Sequence, residues 1–157
     1  MLALPFLIIA ALLLITWFST RNTKQSNENY PAKLRGARCI MNEEKIRTVS
    51  PVHLSGRIDQ LYRTKKGVNI ILDTKRRPSK KVYPSDIAQL SVYKVILDNI
   101  GHKTSSKAYI RFPPIGTESA IYREVTLLNE KAVINLYRKY FELKSHRRKA
   151  KCKCGKH

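Results

Sequence analysis

Acidic residues are scarce in this chain. Asp and Glu total 11 against 31 Lys and Arg, which gives a formal net charge of +20. Such a surplus opposes compaction through self-repulsion, so it calls for a partner that screens it. Nucleic acid fits, because phosphate neutralisation supplies much of its affinity for proteins, and so does the anionic face of a membrane. Charge alone does not choose between these two partners.

Cysteine is scarce as well. The three cysteines, Cys39, Cys152 and Cys154, are an odd number and do not form a disulfide framework. A reducing compartment is the simplest interpretation. Hydrophobic residues, in contrast, make up 43% of the chain, so its composition is not that of a disordered protein. A length of 157 residues accommodates one domain with appendages.

An apolar run opens the chain. Residues 2–18 hold no charge and a single hydroxyl, on Thr16. At ~1.5 Å per residue the run spans ~26 Å, the short end of what crosses a hydrocarbon core. We predict a transmembrane anchor over residues 1–18. A cleaved signal peptide is disfavoured because no basic region precedes the run and no small-x-small site follows it, and a buried helix because the run is apolar on every side.

Basic residues follow this run, and only the terminal amine precedes it. The positive-inside rule then predicts a single-pass membrane protein whose folded domain lies in the cytoplasm. We divide the chain into a transmembrane anchor at 1–18, a polar basic linker at 19–35, a folded domain at 36–143 and a basic, cysteine-containing tail at 144–157. The tail carries no acid, so we expect it to be mobile.

The folded domain alternates strand-like and helical patterns. Strands are predicted at about 37–41, 52–63 and 68–75, followed by a helix at 86–100 that begins with Asp86 and Gln89 as an N-cap pair. Further strands are predicted at 107–112 and 123–128, and Asn129 then caps a second helix. This order predicts an α/β fold with a mixed β-sheet flanked by helices.

A hairpin in this domain brings chemically active residues together. Gly67 supplies the left-handed residue that a three-residue turn requires, and counting outward from the turn sets Asp59 opposite Asp73. Opposed residues project to one side, and Lys75 shares that side by the period of two. The same count puts Ile58 on the opposite face, with Tyr62, Ile70 and Leu72.

Two opposed carboxylates repel each other, and a divalent cation removes that cost. Mg²⁺ is suitable because it takes oxygen ligands and keeps waters and phosphate in its shell, and Mn²⁺ is an alternative. A nearby lysine can orient or deprotonate the attacking water and offset transition-state charge. Together these groups favour phosphodiester hydrolysis, although a surface hairpin with scattered charges explains the same residues.

Three motifs in order resemble those of a known family. They are Gly56-Arg57-Ile58-Asp59, then Asp73-Thr74-Lys75, then Gln89-Leu90-x-x-Tyr93. In this order and spacing they are similar to the RecB-like branch of the PD-(D/E)XK nucleases, which includes the CRISPR-associated adaptation exonuclease. The resemblance covers roughly residues 54–113 and implies a restriction-endonuclease-like fold and a metal-dependent nuclease, with a DNA exonuclease expected.

The resemblance also implies a role for each matching residue. Asp59 and Asp73 are expected as metal ligands together with the carbonyl of Thr74, and Lys75 as the catalytic lysine. Gln89 and Tyr93 are expected to support that lysine and the DNA, and residues four apart do share one helix face. A surface glutamine and a core tyrosine are the plain alternative for this pair.

The chain departs from the family in two respects. The helix-borne Glu or His that many relatives carry before the hairpin is missing, and His53 lies ~20 Å from Asp59 along the strand. Some relatives hold an iron–sulfur cluster on one early and three late cysteines. A distant resemblance to that arrangement is found in Cys39, Cys152, Cys154 and His157. Loose Zn²⁺ binding or free thiols are the alternatives.

Residues 63–81 hold eight Lys or Arg and one acid, Asp73. This basic segment brackets the predicted site and suggests a phosphate track. The residues expected to bind nucleic acid are Arg57, Arg76, Arg77, Lys80 and Lys81. The sequence therefore favours a nuclease that cuts DNA at the cytoplasmic membrane face. A catalytically inactive module that tethers nucleic acid to the membrane is the alternative, and a structural basic membrane protein a third.

Overall fold

The computed structural model describes residues 30–114, 116 and 119–153, with residues 147–153 described through their backbone alone. The predicted anchor at 1–18, most of the predicted linker, and Cys154 and His157 lie outside the described residues. Within the described part of the chain, no helix is both long and apolar enough to cross a membrane.

In the described residues, five strands and two helices make a mixed α/β fold. In chain order they are β1 (Arg38–Thr48), β2 (Leu54–Arg63), β3 (Asn69–Thr74), α1 (Pro84–Asn99), β4 (Lys107–Phe112), β5 (Ile121–Thr126) and α2 (Glu130–Lys153). The strands lie side by side in the order β1-β2-β3-β4-β5. Strands β3 and β4 are parallel, and the other neighbours are antiparallel. The predicted mixed sheet flanked by helices is confirmed.

The sheet buries residues on both faces around its central strand. One core cluster joins β2, β3 and β4 to the two helices through residues such as Ile71, Leu90 and Val133. On the other face, Tyr62, Ile70, Leu72 and Tyr109 pack with Leu34 from the segment before β1. Five of the six residues of β3 are buried, as expected for a strand covered on both faces.

Helix α1 begins earlier than predicted. Its N-cap is Tyr83, in extended conformation, and Pro84 is the first helical residue. Asp86 is therefore not the N-cap but the third helical residue, and its Oδ2 accepts a hydrogen bond from the Tyr83 N–H at 2.8 Å. Proline at the first position explains the early start, because its missing N–H is not needed there and its fixed φ suits a helix.

Two other boundaries differ from the predictions. Strand β1 runs on to Thr48, because its second half pairs with β2 although most of its residues are charged or polar. Helix α2 begins at the predicted cap, where Asn129 Oδ1 accepts a hydrogen bond from the Ala132 N–H at 2.9 Å. It then continues to Lys153, so the first ten residues of the predicted mobile tail belong to a helix.

Candidate metal and nucleic-acid site

The β2–β3 hairpin has the predicted register. Tyr62 lies opposite Ile70 and Gln60 opposite Leu72. The Thr64 N–H donates to the Val68 carbonyl at 2.9 Å across a turn in which Gly67 has a φ of 76°. The paired ladder ends at Gln60 and Leu72, one step before the two aspartates. The turn therefore brings Asp59 and Asp73 to the point where the two strands begin to separate.

Strand β2 does not keep a strict alternation up to this point. Ile58 packs in the same cluster as Leu61 and Ile71, so its predicted place with Tyr62, Ile70 and Leu72 is wrong. Two residues on one face that are three apart in sequence require an irregularity between them. The irregularity falls at Asp59 and Gln60. Asp59 there turns its Oδ2 to the Thr74 backbone N–H, which donates to it at 2.8 Å.

Asp73 lies at the end of the buried central strand. Its side chain is only 2% exposed, and its Oδ2 lies 3.0 Å from the Lys75 Nζ. Within the described part of the chain, that oxygen has no hydrogen bond of normal geometry. Burial raises the pKa of Asp73, and the nearby charge of Asp59 adds to the increase, while Lys75 opposes it. Asp73 is therefore a buried carboxyl with an incomplete set of partners.

The lysine of the site is held by helix α1. Lys75 Nζ donates to Gln89 Oε1 at 2.8 Å, and Gln89 Nε2 donates to the Tyr93 hydroxyl at 2.7 Å. The two helix residues are one turn apart and face the same group, as their spacing predicted. Backbone pairing with β4 fixes the strand end as well, because the Lys75 N–H donates to the Arg111 carbonyl at 2.9 Å.

Glycine is required where Tyr93 meets β2. A Cβ atom at Gly56 would lie 2.3 Å from Tyr93 Cε1, closer than any real contact. The ring of Tyr93 thus packs directly on the backbone three residues before Asp59. This contact fixes the position of the helix that holds Lys75 relative to the strand that carries Asp59.

The described residues fit a magnesium site of few protein ligands. They include no cluster of three or more His, Cys, Asp or Glu that could hold a metal ion. Mg²⁺, however, commonly uses one or two carboxylates and fills its shell with waters and substrate phosphate. Asp59 and Asp73 supply the two carboxylates, and the Asp73 oxygen without a normal hydrogen bond is what such a cation would satisfy.

A groove of about 540 Å³ opens beside Asp59. We call it the site groove. It is lined by Asn42, Glu43, Asp59, Gln60, Thr74, Arg76 and Arg111. The sequence did not indicate Arg111 as a site residue. Its position opposite Thr74 depends on the parallel pairing of β3 and β4, which no local pattern encodes.

Two of the predicted nucleic-acid-binding residues pair with acidic residues of the protein. Arg57 bonds to Glu43 Oε2 at 2.6 Å, and Arg77 binds both carboxylate oxygens of Asp86, so these two guanidinium groups have protein partners. Arg76 is exposed and has no hydrogen bond or ion pair within the described residues. Lys80 and Lys81 lie on the same segment, between β3 and α1.

The predicted iron–sulfur or zinc site is represented by one residue in this structure. Cys39 is exposed at the start of β1, and its thiol donates to the Met41 carbonyl. Burial of the sulfur raises the pKa of that thiol. The side chain of Cys152, and Cys154 and His157 altogether, lie outside the described residues, so this ligand set stays a prediction.

Comparisons with known proteins add a distant structural likeness. No protein-family model and no curated protein matches the chain. A solved structure titled "Crystal structure of SSO0001" superposes with a TM-score of 0.45 at 16% sequence identity. The match covers 88% of this chain and 60% of that one. A likeness at this level carries no conclusion about function.

Proposed function

We propose that this chain is a Mg²⁺-dependent nuclease with a restriction-endonuclease-like fold, and that its substrate is DNA. The observation that carries the proposal is the state of Asp73. This carboxyl is fully buried, its pKa is raised by that burial, and Lys75 is the cation beside it. Carboxyls whose pKa is perturbed by burial beside a specific charged partner are typical of functional sites. The second and third of the motifs that resemble those of RecB-like nucleases are linked here, because Lys75 lies beside Asp73 and donates to Gln89.

Each residue has a defined task in this mechanism. When bound, Mg²⁺ would polarise the scissile phosphate and stabilise charge that develops on it. Asp59 and Asp73 hold the cation, with the Thr74 carbonyl as the expected third ligand. Lys75 donates one of its three N–H groups to Gln89 and lies beside Asp73 as an ion pair. Its other N–H groups orient the attacking water or offset negative charge on the phosphate.

The basic surface supplies binding rather than chemistry. Arg76 lines the site groove beside Asp59, and Lys80 and Lys81 lie on the same segment between β3 and α1, so these residues are expected to contact the phosphate backbone. Affinity from such contacts falls steeply as salt rises, because bound phosphates release counterions. Arg77 is set apart from this group since it is bound to Asp86.

Membrane attachment remains part of the proposal and rests on the uncharged run at 2–18. The folded domain would then act at the cytoplasmic membrane face. Extraction of membranes with alkaline carbonate should leave the full-length chain in the pellet. Release of a shortened product into the supernatant would instead identify a cleaved signal peptide.

The proposed nuclease activity is tested by measuring cleavage and binding side by side. Asp73→Ala and Lys75→Ala should each lower the cleavage rate with Mg²⁺ or Mn²⁺ by at least about 1,000-fold, because metal binding and proton handling are lost. DNA binding should stay close to wild type in both variants. Glu142→Ala and Lys131→Ala are matched controls, since both residues are exposed on α2, and cleavage should be unchanged.

Wild-type protein that binds DNA but never cuts it, with Asp73→Ala indistinguishable from it, would establish the tethering module instead. The triple replacement of Arg76, Lys80 and Lys81 by Ala should have the complementary effect. It should weaken DNA binding and flatten the dependence of affinity on salt, because phosphate contacts are removed.

A further inference from the structure

Helix α2 extends beyond the body of the domain. Val133 is buried in the core cluster and Tyr137 packs against it, whereas every residue from 138 to 146 is exposed. The helix itself continues to Lys153, so at ~1.5 Å per residue the part that follows Tyr137 is ~24 Å long. The segment at 138–146 therefore has helix surface that the domain does not cover.

Three exposed apolar residues form a line along α2. They are Leu136, Tyr140 and Leu143, which are 46%, 59% and 58% exposed. Spacings of four and three residues place them on one face of the helix, and we call this line the apolar stripe. Phe141 is exposed beside it and contacts the Tyr140 ring edge-on, with ring centres 5.7 Å apart. Contiguous apolar surface of this kind is typical of an interaction site.

Lysines flank the apolar stripe on both sides. Each residue turns the helix by ~100°, so Lys139 and Lys144 project to opposite sides of the stripe, and the same rotation turns Glu142 away from it. The Lys144 Nζ lies 5.8 Å from the centre of the Tyr140 ring. An apolar line bordered by lysines is typical of helices that lie in the membrane interface. The lysine stems there cover apolar surface while the ammonium groups reach the lipid phosphates.

Charge identifies the partner of the apolar stripe. Residues 138–153 hold eight Lys or Arg and one acid. A second copy of the chain would bring the same positive surplus against this helix and be repelled. Nucleic acid would neutralise the lysines, but base stacking uses aromatic rings and leaves Leu136 and Leu143 in water. The apolar run at 2–18 has no charge to pair with the lysines. The anionic leaflet of a membrane accommodates both the leucines and the lysines.

We propose that the apolar stripe is inserted in the anionic surface of the membrane, with α2 parallel to the bilayer plane. Lys139 and Lys144 then lie at the level of the lipid phosphates. The inference rests on the proposed membrane attachment and is independent of the nuclease activity. An anchor at 1–18 alone leaves the domain free to rotate about its linker. The second contact through α2 holds the domain in one orientation and gives part of the charge surplus an anionic partner.

The test uses tryptophan as a reporter of depth in the membrane. The chain has one tryptophan, Trp17, which lies in the predicted anchor. In a Trp17→Phe background, Leu143→Trp puts the reporter on the apolar stripe, and Ser145→Trp puts it on the opposite side of the helix. Each full-length chain is reconstituted in anionic vesicles of about two parts phosphatidylcholine to one part phosphatidylserine.

Lipids brominated near the carbonyl end of their acyl chains quench tryptophan at the depth of an interfacial helix, ~5–10 Å into the boundary. Quenching should be several-fold stronger for Leu143→Trp than for Ser145→Trp. It should decrease in vesicles of phosphatidylcholine alone and at high salt, because the attraction between the lysines and the lipids is then removed or screened.

Two pairs of charge reversals connect the signal to the apolar stripe. Lys139→Glu with Lys144→Glu, made in the chain that carries Leu143→Trp, should abolish most of the quenching. The matched control is Lys131→Glu with Arg138→Glu. It reverses two exposed charges of α2 on the side away from the stripe, and it should retain most of the quenching.

Equal quenching at the two reporter positions, the same quenching with and without phosphatidylserine, or equal losses in the two pairs of charge reversals would each overturn the inference. An emission shift of the Leu143→Trp reporter that follows protein concentration without lipid would identify a second copy as the partner. One that requires an added oligonucleotide would identify nucleic acid. Either result would also overturn the inference.

Failure of the inference is separable from failure of the proposed function. In wild type, Trp17 reports the predicted anchor alone, because the chain has no other tryptophan. Quenching of Trp17 without quenching of the Leu143→Trp reporter keeps the anchor and removes the contact through α2. The reverse result shows that α2 holds the chain at the membrane and that the anchor is not inserted. Cleavage of DNA is measured separately and bears on neither contact.

Discussion

Two carboxyl groups on neighbouring parts of the sheet have opposite surroundings. Glu124 on β5 accepts hydrogen bonds from Lys107 at 2.6 Å, Lys33 at 2.8 Å and the Tyr109 hydroxyl at 2.7 Å. These partners, Lys107 first, lower the pKa of Glu124 to about 2. Asp73 on β3 has one cation beside it, and its burial raises its pKa. The Glu124 carboxylate is surrounded by hydrogen-bond donors, whereas the Asp73 carboxyl has too few of them.

Burial alone does not explain this difference. Asp86 is 4% exposed and Asp73 is 2% exposed, yet the pKa of Asp86 is lowered, first by its hydrogen bonds to Arg77. The buried Asp86 therefore forms a bidentate ion pair with Arg77. At Asp73 the neighbouring cation is Lys75, whose Nζ lies 3.0 Å from Oδ2. Groups kept in an unfavourable state at a cost in stability are typical of functional sites.

The largest expected effect on stability comes from removing a satisfied carboxyl. Asp86→Ala should lower the free energy of unfolding at neutral pH by about 3 kcal/mol, because it leaves the guanidinium of Arg77 without its partner and removes a hydrogen bond at the helix start. Urea denaturation followed by circular dichroism measures the change. Glu142→Ala, which removes an exposed acid on α2, should change the value by less than about 0.5 kcal/mol. Equal effects of the two substitutions would show that the Asp86–Arg77 pair contributes nothing.

Glu124→Gln should have a smaller effect that depends on pH. The pKa of Glu124 is lowered on folding, so its contribution to stability is present above the ordinary value of 4.5 and is lost as pH falls from there to about 2. At pH 7 the loss should be about 1 kcal/mol, since the side chain is one-third exposed and solvent screens the ion pairs.

Thermal unfolding of wild type and Glu124→Gln between pH 7 and pH 2 checks this second prediction. The two melting temperatures should differ at pH 7 and converge as pH falls below 4. A difference that stays constant across that range would assign the effect to packing rather than to charge.

The sequence predicted the part of the site that depends on local geometry. The length of the turn and Gly67 determine the register of the hairpin, so the pairing was correctly predicted as far as Gln60 opposite Leu72, one step before Asp59 and Asp73. The sequence did not predict the interruption of the β2 alternation at Asp59 and Gln60. The faces that Gly56 and Ile58 take depend on their packing against the helix, which is a tertiary contact.

Longer-range partners were beyond sequence reasoning for a similar reason. The pairing of Arg77 with Asp86 was not predicted, and neither was the position of Arg111, which lines the site groove. Both contacts join segments that only the tertiary fold brings together. A count of charges along the chain identifies a basic segment but does not say which of its members are already paired.

The smallest expected effect on stability, and the one that most directly tests the comparison, is that of Asp73→Asn. The pKa of Asp73 is raised on folding, so ionisation of this carboxyl costs stability as pH rises above its ordinary value of 3.8. Asparagine resembles the protonated form and stays neutral. The variant should therefore be as stable as wild type near pH 3 and melt a few degrees higher at pH 7, a gain on the order of 1 kcal/mol.

Divalent cations should reverse the order of the two melting temperatures at pH 7. Mn²⁺ or Mg²⁺ should raise the melting temperature of wild type at pH 7, because a ligand that binds only the folded state stabilises it by mass action. Neither cation should change the melting temperature of Asp73→Asn. Glu124→Gln should keep the full metal-induced increase, because the Glu124 carboxyl already has its hydrogen-bond partners in wild type. An increase of equal size in Asp73→Asn would show that the cation binds elsewhere, and Asp73 would then be a buried acid without a metal to hold.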